Sequence, residues 1–165
     1  MPVDIMPGLT DPSNFTLPQQ AMHKCLFPVS GRFSSFNLVS NPYRTLVDGI
    51  DFLCASGQSI NSLKQCVSGL DTVACLEATL QWRHIAPIAP DALGCYPSKD
   101  SDPFVLTTCP HVYFTGNETT FTEKEVVGDN DQRVRVIGVP SFAATGSVVV
   151  CNLKDMSCTC ITIQL

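Results

Sequence analysis

The sequence predicts a mixed α/β chain, a layered sandwich with sheets inside and helices outside. Three observations carry that reading. Two helical periodicities sit side by side between Ser59 and Leu80, short apolar runs of strand length precede them, and the C-terminal part is rich in further strands. At 165 residues, with 44% apolar and 15% charged side chains, there is material for the core of one domain or a large piece of one.

The elements follow in order. Pro2–Met6 is a short apolar strand turned by Pro7-Gly8. A core strand with nothing before it leads us to expect that the chain begins inside a domain. Asp11-Pro12-Ser13-Asn14 is a turn cluster, Leu17–Gln20 is extended or a helix start, and Cys25–Pro28 is irregular. Phe36–Val39 is a strand broken by Asn41-Pro42. Tyr43–Val47 and Ile50–Cys54 flank Asp48-Gly49, whose residue types suit the positive φ of a two-residue hairpin turn. Ser59 can cap a helix with Ile60, Leu63 and Val67 on one face, stopped by Gly69. Asp71 can cap a second, with Val73, Leu76 and Leu80 inward. His84, one turn further, reads as a helix-end histidine near the C-terminal dipole. Ile85–Pro97 holds three prolines and is an ordered loop; Phe104–Leu106 is a brief extended piece. His111–Phe114 is a buried strand running into the glycine loop Gly116-Asn117-Glu118-Thr119. Arg133–Val139 is a strand with Val134 and Val136 on one face and Arg133 and Arg135 on the other. Val148–Leu153 and Cys158–Leu165 form a closing hairpin across Lys154–Ser157, with Ile161, Ile163 and Leu165 on one side.

Composition narrows the function classes. The net charge is −5 and no run of Lys or Arg occurs, which argues against a broad phosphate-binding face on this chain. Nine cysteines are an odd count without a Cys-x-x-Cys pair, a poor disulfide or zinc framework. They are expected to be reduced, mostly buried thiols of an intracellular protein. The N-terminus lacks the pattern of a signal peptide, and no apolar run reaches transmembrane length.

Three strand-to-turn frames stand where chemistry would be sought: Met6-Pro7-Gly8-Leu9-Thr10-Asp11, Phe52-Leu53-Cys54-Ala55-Ser56-Gly57, and Cys109–Thr119. Their order and context resemble calcineurin-like phosphoesterases, whose central Gly-Asn-His-Asp motif, strand-end histidine and Gly-His-x-His loop hold two metals. The pair clamps a phosphate and activates water. The resemblance implies that Leu9 stands in the place of the ligand Asn and Thr10 in that of the catalytic His, beside a retained Asp11. Ser56 takes a ligand histidine's place, and Asn117 and Thr119 those of the last two. The implied ligand positions are degenerate: no catalytic residue, no bound metal and no cofactor are expected.

Longer strings extend the likeness. Asp11–Gln20, Val39–Tyr43 with Asp48-Gly49, Arg83–Pro97, Asp102–Leu106 and Cys109–Asn117 closely resemble the small (B) subunits of eukaryotic replicative DNA polymerases, the delta type in particular. That family implies an OB fold beside an inactivated calcineurin-like phosphoesterase domain. This chain is expected to be the C-terminal portion of the latter across 1–165, with the OB fold absent. Archaeal relatives keep metal ligands and nuclease activity, whereas the eukaryotic subunits have lost them and act as scaffolds. The implied role is therefore non-catalytic: an accessory subunit in the nucleus. It would bridge the catalytic subunit of DNA polymerase delta and a further accessory subunit, meeting DNA only through the complex and no membrane. The loop Ile85–Pro97 and the turns at Gly8 and Gly116 are the expected contact surface. The alternative is a metal-dependent phosphoesterase with a divergent site that recruits Asp11 and His111. A third expectation is marginal folding in isolation, because the first strand leaves a sheet edge bare.

Overall fold

The computed structural model describes residues 1–164, and of Asn130 only the backbone. Strand β1 (Val3–Ile5) pairs in parallel with β2 (Phe36–Leu38) as a small separate sheet. Between them the chain makes two single-turn helices, Lys24–Leu26 and Ser30–Arg32. Leu17–Gln20 is extended, not the start of a helix. Leu17 bridges Cys95, and Gln19 bridges Asn41.

The main sheet has five strands. Asp48 and Gly49 take positive φ, 51° and 79°, and close the expected hairpin of β3 (Tyr43–Val47) and β4 (Ile50–Ala55). Two helices, α1 (Gln58–Cys66) and α2 (Thr72–Gln81), then carry the chain over to β5 (Val112–Glu118), which lies parallel to β4. A parallel neighbour needs such a crossover. β6 (Thr122–Val127) passes to the far edge, and β7 (Arg133–Pro140) returns between β5 and β6. The strand order is β3-β4-β5-β7-β6, a parallel centre with antiparallel edges. A short α3 (Phe142–Thr145) leads to the hairpin of β8 (Ser147–Cys151) and β9 (Cys158–Thr162). The chain is thus mixed α/β, with one five-stranded and two two-stranded sheets among the described residues.

Asp71 caps α2 as expected, its Oδ1 accepting from Ala74 N at 2.7 Å. Leu76 and Leu80 of α2 meet Ile60 and Leu63 of α1 over Leu53, Tyr113, Val134 and Val136 of the sheet. Burial pushes the Tyr113 phenol up to about 12. Val134 and Val136 are buried while Arg133 and Arg135 are not, so the strand's two faces divide as expected. At the other edge, Arg44 of β3 holds the Asp51 carboxyl below its usual range through a bidentate hydrogen bond.

Several expectations change. Gly57, not Ser59, caps α1, so that helix begins a residue before Ser59 and Ser59 lies buried inside it. Val67 is the C-cap and 39% exposed, not on the inner face. The strand beginning near His111 does not stop at Phe114. It continues to Glu118 through an irregularity at Gly116-Asn117, because Pro140 of β7 still offers Glu118 a partner. β6 and α3 have no counterpart among the expected elements. β6 carries Glu123, Lys124 and Glu125 and buries only Val126, as befits an edge strand. His84 is held by Asp102, 2.9 Å from its Nε2, and by Ala86 N on its Nδ1, so loop contacts rather than the helix end fix it. The closing hairpin is shorter than expected; Leu153 lies in its turn, and Leu165 lies outside the described residues. Of the cysteines only Cys54 and Cys75 are buried, which corrects the expectation of mostly buried thiols.

Leu76 is fully buried between the helices and the sheet. Leu76→Ala is expected to cost about 2–5 kcal/mol in a denaturant titration. Leu46→Ala, on a side chain 71% exposed, should stay within about 0.5 kcal/mol.

Candidate functional site

In open α/β sheets, ligands gather beyond the carboxyl ends of the parallel strands, where polar loop atoms converge. Here those ends are Ala55-Ser56-Gly57 after β4 and Gly116-Asn117-Glu118 on β5. The turn Gly8–Asp11 joins them. A Cβ on Gly8 would stand 3.6 Å from Asn117 Nδ2, and Asn117 Nδ2 donates to Ser56 O at 2.8 Å. The structure therefore brings together the three frames that the sequence singled out.

Two backbone features allow the approach. Gly57 has φ 108°, and a Cβ there would lie 2.6 Å from Gly116 O. Only glycine suits that conformation and that contact. Asn117 takes φ 59°, the left-handed region that asparagine tolerates.

The side chains form a closed set of neutral groups. Asn41, 1% exposed, donates through Nδ2 to Gln19 Oε1 at 2.7 Å and to Ser56 Oγ at 2.6 Å. Its Oδ1 accepts from Ser56 N at 3.3 Å. Gln58 Nε2 donates to Gln19 Oε1 at 2.8 Å, and the Ser56 hydroxyl donates to Gln58 Oε1. Gln19 Nε2 reaches Gly8 O at 3.1 Å and Asn14 O at 3.0 Å, which ties the set to the first turn. Two backbone bonds between Gln19 and Asn41, of 2.7 and 3.0 Å, hold the pair in register.

The expected positions fall out unequally. Ser56 is inside this network. Asp11 Oδ2 accepts from Gly8 N at 2.7 Å and so closes its own exposed turn. Leu9 is 54% exposed, and Thr10 is exposed beside it. Asn117 binds the Ser56 carbonyl. Thr119 follows the end of β5, exposed, with no hydrogen bond to the others among the described residues. Glu118 is buried at the end of β5, where its Oε2 accepts from Lys64 Nζ at 2.6 Å and from Thr72 Oγ1 at 2.7 Å. His111 precedes β5 at the opposite end of the strand, its Nδ1 accepting from Asp51 N. Asp11 and His111 are therefore not brought together. Gln19, Asn41 and Gln58 are the residues that the sequence reading missed. Gln19 lies within Asp11–Gln20 and Asn41 within Val39–Tyr43, stretches in which neither side chain was expected to have a site role. Their only local signal was a polar side chain in a proline-bounded stretch.

This donor set does not fit a pair of divalent cations, which want imidazole nitrogens and carboxylate oxygens together. Among the described residues no group of three or more His, Cys, Asp or Glu is placed to hold a metal. Asn41 Nδ2 also lies 3.1 Å from Gln58 Oε1, so Asn41→Ala would leave the Ser56 amide unpaired and deprive Gln19 and Gln58 of a donor. It is expected to cost about 2–4 kcal/mol in a denaturant titration, since a stranded buried polar group costs its full desolvation. Ser40→Ala, on an exposed neighbour, serves as the control and should cost little.

The loop Ile85–Pro97 was expected as contact surface. It is ordered, but its first residues turn inward: Ile85 is 4% and Ala86 1% exposed, and Ile88, Ala89 and Leu93 pack against the core. Tyr96, at 51%, is its exposed aromatic.

With that geometry established, comparison with known proteins places the chain. Residues 1–123 match the family model that describes the B subunit of DNA polymerase alpha/epsilon. The chain is 47% identical over 156 residues to the DNA polymerase delta small subunit of Arabidopsis thaliana, covering 94% of this chain and 36% of that protein. It is 43% identical over 159 residues to that of Oryza sativa subsp. japonica, covering 96% and 37%. It is 45% identical over 158 residues to DNA polymerase delta subunit 2 of Drosophila melanogaster, also 96% and 37%. The chain spans little more than a third of the length of these relatives. By the match over residues 1–123, the chain belongs to the DNA polymerase alpha/epsilon B-subunit family.

Proposed function

We propose that this chain is part of a non-catalytic accessory subunit of DNA polymerase delta, acting in replication in the nucleus by protein–protein contact. Its residues correspond to the C-terminal portion of a phosphoesterase-like domain whose metal positions have been given over to structure. The observation that supports the reading is the Gln19–Asn41–Ser56–Gln58 network, a set of neutral amides and a hydroxyl gathered at the carboxyl end of β4; in this reading it stands where a hydrolase would present its cations. A folded surface can outlast the chemistry once grafted on it. The names of the similar proteins support the polymerase assignment. In this role the protein bridges the catalytic subunit and a further accessory subunit, and reaches DNA through them. The net charge of −5 and the absence of a basic run favour protein partners over direct DNA contact.

The test is co-expression of the full-length subunit that contains this chain with the polymerase delta catalytic subunit. Stoichiometric co-purification is expected, with no hydrolysis of a nitrophenyl phosphodiester in manganese. Failure of the two subunits to co-purify, or manganese-dependent hydrolysis by the purified accessory protein, would overturn the reading.

A further inference from the structure

The β8–β9 hairpin sets two thiols face to face, apart from the strand-end loops. Cys151 and Cys158 are direct cross-strand partners. One step nearer the turn, Asn152 N donates to Ser157 O at 2.9 Å, so Asn152–Ser157 is a hydrogen-bonded pair. Pairs alternate along an antiparallel ladder. Cys151–Cys158 is therefore of the closer, non-hydrogen-bonded kind, with Cα atoms about 4.5 Å apart. Ser147–Thr162, four residues back along β8, belongs to the same class, and its hydroxyls meet at 3.0 Å. Side chains on this row do converge. A disulfide needs Cα atoms roughly 4.4–6.8 Å apart, so these two cysteines can be bridged without moving either strand. Both are half-buried at the hairpin's end, within reach of a small reagent. Cys160 shares the face of Cys158 on β9, but its cross-strand partner is Val149.

We propose that Cys151 and Cys158 are a modification site: a cross-strand dithiol that a low-molecular-weight disulfide such as oxidised glutathione converts to an internal disulfide. Burial above all, with the hydrogen bond to Cys151 and the charges of Cys151 and Glu123 adding, pushes the Cys158 thiol up to about 12. The Cys158 thiol also donates to Met156 O at 3.7 Å, and on that geometry Cys151 is the entering thiol. It loses its proton and attacks one sulfur of the glutathione disulfide; that S–S bond breaks, and one glutathione leaves as a thiolate that takes up a proton. Cys158 then gives up its proton and attacks the Cys151 sulfur, expelling the second glutathione. The two protein thiols supply the two electrons that reduce the reagent. The loop so closed is short, so the bridge stiffens the hairpin more than it constrains the unfolded chain.

The experiment treats the full chain with oxidised glutathione, digests it without reduction and maps the products by mass spectrometry. A Cys151–Cys158 cross-link two hydrogens lighter than the dithiol is expected, reversed by dithiothreitol and unchanged in Cys160→Ser. Cys158→Ser should stop at a glutathione adduct on Cys151. A bridge through Cys160 instead, or glutathione adducts on Cys151 and Cys158 without any bridge in the unaltered chain, would overturn the proposal.

Discussion

The hydrogen bonds of the Asn41 side chain are the constraint on which the strand-end region depends. One carboxamide, almost wholly removed from water, serves Gln19 and Ser56 from its nitrogen and the Ser56 backbone from its oxygen. Through Gln19 it holds the first turn, and through Ser56 it meets the carbonyl that Asn117 binds. Loops from four places in the chain are pinned by groups that carry no charge. A dinuclear centre would also pin strand-end loops, but with cations and anionic or imidazole ligands. In this chain the same mechanical task falls to amides whose partners are nearly all supplied internally, which makes the region sensitive to the loss of any one of them.

The packing beneath is arranged to permit this. The helix pair covers one face of the sheet and leaves the carboxyl ends of β4 and β5 open to the loops. Gly57 lets those two ends touch: a Cβ there would lie 2.6 Å from Gly116 O, a distance that a side chain would forbid. The charges near the site are used locally: Asp11 closes its own turn, and Glu118 is turned to Lys64 and Thr72. Among the described residues no group of three or more His, Cys, Asp or Glu side chains is placed to hold a metal.

Much of the fold was legible in the sequence wherever a local rule applied. Asp48-Gly49 announced its hairpin, Asp71 capped its helix, and the alternation of Val134 and Val136 with Arg133 and Arg135 fixed a face. Failures came where tertiary pairing overrode local signals. β6 is too charged to read as a strand and exists because β7 offers it a ladder. The end of β5 looked like a loop because glycine and asparagine usually mark one; here they mark an irregularity inside a strand. The candidate site was half legible. Its three frames were found and do meet, but the network that fills it was not seen. Gln19 and Asn41 lie 22 residues apart, and it takes the folded chain, with two backbone bonds and one side-chain bond between them, to bring them side by side. Cysteine burial was misjudged because the residue type usually sits inside, whereas Cys25 and Cys66 are exposed and the thiols of the β8–β9 hairpin are half exposed.

The central claim is that the strand ends are held by amides and not by metal. The most direct measurement is the thermal midpoint of the chelator-stripped chain as manganese is added, with bound metal counted after desalting. A specific site would raise the midpoint steadily with the logarithm of metal concentration above its Kd, since a ligand at 100 times its Kd adds about 2.7 kcal/mol. The account predicts an unchanged midpoint and no retained metal. A rise that continues with the logarithm of manganese concentration, with two ions retained per chain and both abolished by Asp11→Asn, would contradict it.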